Sequence, residues 1–134
     1  MESLKPFGIA LVSFLVLDIA WIGVVMKKFN LNQLADLGRI ENGQFNVLFP
    51  AAIPVYFLMA FLVVAFVLPR FTPTSSIGQV AVWGALMGLA VYGVYDLTNL
   101  AILKNYPIPF AVVDMSWGTF AFAAVTVITH KFSS

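Results

Sequence analysis

An all-α bundle of four membrane-spanning helices is the fold that the sequence predicts, and composition, segment length and the placement of the breaks predict it. Of 134 residues, 61% are hydrophobic and 10% charged, against about 25% charged in soluble domains. Mean hydropathy is +0.96. Four apolar stretches, 7–26, 47–68, 77–103 and 109–128, are long enough to cross a hydrocarbon core of about 30 Å at about 1.5 Å rise per residue. An even number of crossings puts the N- and C-termini on one side. The length suits one domain over 1–134, with no room for a soluble catalytic module.

The first span has Glu2 and Lys5 before it and is too long for a signal-peptide core; it lacks a small-residue cleavage pattern before Lys27, so it reads as a retained helix. Lys27 and Lys28 close it. The loop 27–46 carries Leu31, Leu34, Leu37 and Ile40 on one helical stripe, which predicts a short interfacial helix. Pro50 and Pro54 loosen the start of the second span, and Pro69, Arg70 and a TPTSS run end it. The third span stops at Lys104-Asn105-Tyr106-Pro107, and Pro107 and Pro109 suit the first turn of the fourth, where a missing N–H does no harm. Trp83 and Tyr106 read as interfacial anchors, and His130 as an interfacial residue beyond the fourth span.

Several function classes are excluded or disfavoured. With a net charge of +1 and scattered basic residues there is no stripe to track nucleic-acid phosphates. Without cysteine there are no disulfides, thiolate nucleophiles or thiolate metal sites. GxSxG, HExxH and P-loop patterns are absent, so no catalytic residue is assigned and enzymatic action on a lipid is the least supported reading. Three carboxyls alone are a weak signal for an oxygen-ligated cation such as Ca²⁺ or Mg²⁺, and no metal site is assigned. Trp83, Tyr106 and the phenylalanines do not imply a cofactor. Lys5, Arg70 and Lys131 on one side against Lys27, Lys28, Arg39 and Lys104 on the other leave the orientation undetermined, with dual insertion and an antiparallel dimer open.

Three aspartates inside the spans demand an explanation: Asp18 in FLVLDIAWIG, Asp96 in VYGVYDLTNLAIL and Asp114 in PFAVVDMSWGTF, with no Lys, Arg or His in the same stretches. Each costs about 2.5–3.5 kcal/mol at a helix centre on insertion scales. Asp18 and Asp96 precede the Lys27 and Lys104 edge by nine and eight residues, about 12–14 Å of helix. Asp114, five residues past Pro109 on a helix returning from that edge, is about one turn shallower. All three fall in one half of the bilayer.

Their neighbours predict a shared polar pocket. Tyr92, Tyr95, Asp96 and Asn99 follow i, i+3, i+4, i+7 spacing on one face of the third span, which Gly84 and Gly88 extend as helix-packing positions and a candidate contact for a homo-oligomer. Asp18/Trp21 and Asp114/Trp117 are i, i+3 pairs on antiparallel spans, so the indoles approach one level from opposite directions and can wall the carboxyls or donate an N–H. The expected pocket is Asp18, Tyr92, Tyr95, Asp96, Asn99 and Asp114, with Trp21 and Trp117 as walls.

The strings LDIAWIG, VYGVYDLTNLAIL and VVDMSWG, in this order across four spans, resemble the prokaryotic membrane proteins grouped as domain-of-unknown-function family 2177. The resemblance covers nearly the whole chain; its most specific part is 95–118, and 17–23 supports it. It implies a small integral protein of a prokaryotic cytoplasmic membrane and assigns no activity or ligand. Beyond the lipid bilayer as partner, the residues leave four readings: carboxyls as glue between helices, a proton- or cation-coupled pathway built by a homo-oligomer, a pocket for an amphipathic lipid or hydrophobic small molecule, and lipid catalysis.

Overall fold

A computed structural model describes residues 4–133. Helix α1 (Leu4–Ala20) continues through a π-helical turn, Trp21–Val25, closed by a bond from Met26 N–H to the Trp21 carbonyl at 2.7 Å. Then come α2 (Lys27–Gln33), a two-stranded hairpin of β1 (Ile40–Glu41) and β2 (Gln44–Phe45), and α3 (Phe49–Leu62), which runs on as a π turn, Val63–Val67, and a 3₁₀ turn, Leu68–Arg70. Helices α4 (Ile77–Ile102) and α5 (Ile108–Ser133) complete the chain. The protein is an all-α, four-helix membrane bundle: four helical segments, Leu4–Val25, Phe49–Arg70, Ile77–Ile102 and Ile108–Ser133, are long and apolar enough to cross a bilayer.

The segment between α1 and α3 holds the expected short helix, α2, which covers only the first part of the leucine stripe. The Leu31, Leu34, Leu37, Ile40 stripe is helical only to Gln33; beyond it Asn42 (φ 53°) and Gly43 (φ 74°) form the tight turn of a hairpin that pairs Ile40 with Phe45 and Glu41 with Gln44. An Asn-Gly pair takes up this left-handed backbone at little cost, and it overrides the helical period of the leucines. Leu34 instead packs with Phe29 and Leu100 on the cluster of Tyr106, Phe110 and Ala111. His130 lies in the last turn of α5, where its ring meets Phe71 edge-on at 5.7 Å. A basic last turn complements the helix dipole, so α5 continues past its apolar stretch.

Ser76 caps α4, its hydroxyl accepting from Gln79 N–H at 3.1 Å. At the same edge the Arg70 guanidinium lies 4.0 Å from the centre of the Trp83 ring, a cation–π contact that fixes the end of α3 to the start of α4. Helix α5 is central. It packs along α4 and against α1, and α1 in turn packs against α3. Phe14 and Phe122 meet edge-to-face at 4.8 Å within a core that includes Ala10, Met59, Ala60, Val63 and Val125. The outer face is apolar, with Ile19 67% and Val94 70% exposed, the surface lipid must cover.

Glycine sets the α4–α5 distance. A Cβ on Gly84 would lie 2.8 Å from the Phe122 carbonyl oxygen, and one on Gly88 would run into the Gly118 carbonyl oxygen. Gly84 and Gly88 therefore face α5 of the same chain, which occupies the surface that a contact between copies would need.

Candidate functional site

Helices α3 and α4 meet chiefly at the Val63–Val67 turn, near the edge where the termini lie, and part toward the opposite edge. The gap between them is a lateral groove of about 740 Å³. Val55, Leu58 and Leu62 line its α3 wall, Tyr92 and Tyr95 its α4 wall, and Asp114 of α5 reaches it from behind. The hairpin closes the end, bringing Arg39, Phe45 and Asn46 over the mouth. Another hollow, lined by Leu4, Gly8, Val12 and Phe132, is more open and lies away from all three aspartates.

The aspartates occupy two connected positions behind and beside this groove. Asp18, 5% exposed, accepts from the Trp117 indole N–H at 2.9 Å, and the Tyr56 hydroxyl of α3 stands beside it as a second donor. The π turn after Ala20 rotates Trp21 onto Trp117: the indoles stack at 4.4 Å with 2° between their planes. This stacked pair walls Asp18 from lipid. A carboxyl with two protein donors is satisfied by the chain itself.

Asp96, fully buried, accepts from the Tyr106 hydroxyl through Oδ1 at 2.6 Å, whereas its Oδ2 has no donor among the described residues. Asp114 lies beside Asp96, close enough for the side chains to interact, and within electrostatic range of Asp18. Tyr92 is within range of all three carboxyls; its ring lies over Gly118 and its hydroxyl points to Met59 Sδ at 4.0 Å. Tyr95 is 55% exposed at the groove wall, and its hydroxyl and the Asn99 side chain reach Tyr106. Among the described residues no three His or acidic side chains stand as metal ligands.

Two donors escaped the reading of the sequence. Tyr106, expected as an interfacial anchor, is 7% exposed and turns into the bundle, because the short loop between α4 and α5 folds its ring onto Phe110 at 5.8 Å. Burial and then the hydrogen bond to Asp96 push its hydroxyl above the ordinary range, so it remains a donor. Tyr56 lies seven residues into α3, about 10 Å from the same edge and level with Asp18, so the depth counting that aligned the aspartates also reaches it. Replacing Tyr106 with phenylalanine leaves both Asp96 oxygens without a protein donor, and a loss of about 1–3 kcal/mol is expected. Thermal unfolding in detergent measures it; an unchanged midpoint would show that this bond contributes nothing.

Residues 3–131 match the family model described as "Predicted membrane protein (DUF2177)". No curated protein and no solved structure matches the chain.

Proposed function

The chain belongs to the DUF2177 family of predicted membrane proteins, and from that premise we propose that it binds an amphipathic small molecule drawn sideways from the bilayer into the groove between α3 and α4. The observation that carries this reading is the groove itself. Its volume of about 740 Å³ falls within the range of about 300–1,000 Å³ usual for small-molecule sites. Its walls are apolar apart from a few convergent polar groups, and it opens on the side that lipid covers. Such a cavity receives a chain of methylene groups along Val55, Leu58 and Leu62 while Tyr92, Tyr95 and Asp114 hold the head.

A proton- or cation-coupled pathway has less support. The groove ends where α4 meets Val63–Val67 instead of continuing to the opposite edge, and Gly84 and Gly88 are occupied by α5. The glue reading accounts for Asp18, which Trp117 and Tyr56 satisfy. It accounts for Asp96 Oδ2 through a proton shared with Asp114, and it gives the groove no role.

Gentle purification in native membrane discs, followed by mass spectrometry of the extracted lipids, tests the proposal. One amphiphile enriched over bulk lipid at about one per chain is expected. Extracts whose composition matches the surrounding membrane would refute it.

A further inference from the structure

We propose that the occupant of the groove carries a primary ammonium head lodged against Asp114, with the buried Asp96 carboxyl behind it; this rests on the groove being a binding site. The first ground is a count of donors. Asp18 has its indole and phenol, and Asp96 Oδ1 has Tyr106, but the only group that Asp96 Oδ2 meets is the side chain of Asp114, another carboxyl. Two carboxyls side by side are acceptors in need of donors. An ammonium brings three N–H donors to one point, whereas an alcohol brings one and a carboxylate none.

The second ground is charge. No Lys, Arg or His occurs between Ile77 and Leu103 or between Ile108 and Thr129, so α4 and α5 supply no counter-charge to their own aspartates; Lys27, Lys28 and Lys104 stand at the edge above, and Arg39 lines the groove at its hairpin end. A cation from the ligand provides it. The third ground is the wall: Tyr92 and Tyr95 flank Asp114 on the groove, and aromatic faces attract a cation at short range. The head is thus chosen by the Asp96–Asp114 pair and the tail by the apolar wall of α3. A proton shared by the two carboxyls would fill the same position, and it predicts no preference for an ammonium head.

The full chain in discs of neutral lipid is offered dodecylammonium, dodecanol or dodecanoate at equal mole fraction, and occupancy is read by native mass spectrometry. Dodecylammonium is expected to exceed the other two by about tenfold or more, as one desolvated charge pair provides. Dodecyltrimethylammonium, with the same charge and no N–H, is expected to fall between. Asp114→Asn and Asp96→Asn are each expected to remove the preference while retaining binding of the alcohol. Equal occupancy by all heads would overturn the ammonium assignment and leave the groove reading standing; no occupancy by any probe would overturn both. Should either asparagine variant fail to fold, the comparison of heads on the unaltered chain decides.

Discussion

Gly88→Ala is expected to unfold the bundle at a markedly lower temperature than Gly8→Ala or Gly78→Ala. The added Cβ would run into the Gly118 carbonyl oxygen and come within 2.7 Å of Phe122 Cβ. A backbone oxygen cannot rotate away, so α4 and α5 must separate along the interface that organises the molecule. Overpacking of this kind costs about 1–3 kcal/mol. Gly8→Ala and Gly78→Ala supply the controls, since a Cβ at either meets nothing within 4 Å. Thermal unfolding followed by tryptophan fluorescence should show a large drop for Gly88→Ala and no drop for the controls. Equal midpoints for all three would mean that α4 and α5 do not approach as described. Gly118→Ala extends the test into the site, because its Cβ would strike the Tyr92 ring that forms the groove wall.

Leu58→Trp is expected to abolish ligand binding while leaving the fold intact. Leu58 is 62% exposed, lines the groove and lies outside the buried core, so an indole there fills the cavity without removing core packing. Changes at exposed positions stay within about 0.5 kcal/mol. Loss of the enriched amphiphile with an unchanged melting midpoint is the outcome that fits. Retention of the amphiphile by the variant would place binding elsewhere.

Much of the bundle was legible because a bilayer imposes length and polarity on every crossing segment. Counting residues from the Lys27 and Lys104 edge put three aspartates in one half of the membrane, and the i, i+3 spacing brought Trp21 and Trp117 to one level, where they stack. Depth is a one-dimensional quantity that a helix converts directly from sequence. The lateral arrangement is not. Helical spacing placed Tyr95 on the same stripe as Asp96, yet it stands on the exposed groove wall, because the gap between α3 and α4 depends on which helices pack and not on their periods. Tyr56 was overlooked since α3 carries no acid to draw attention to its depth. Tyr106 was misread because loop residues at an edge default to anchoring, and only the fold of the loop turns its hydroxyl inward. The hairpin roof was hidden by a leucine period that the Asn42-Gly43 turn overrides.

The central claim, that the gap between α3 and α4 holds an amphiphile, is tested most directly from inside the gap. The chain has no cysteine, so Val47→Cys and Val94→Cys each accept a single nitroxide, one at the hairpin end of the groove, clear of Leu58, and one on the outer face of α4. Adding dodecylammonium to the labelled protein in neutral discs should immobilise the label at position 47 and leave the label at 94 unchanged. Spectra that change equally at both positions, or at neither, would contradict the account.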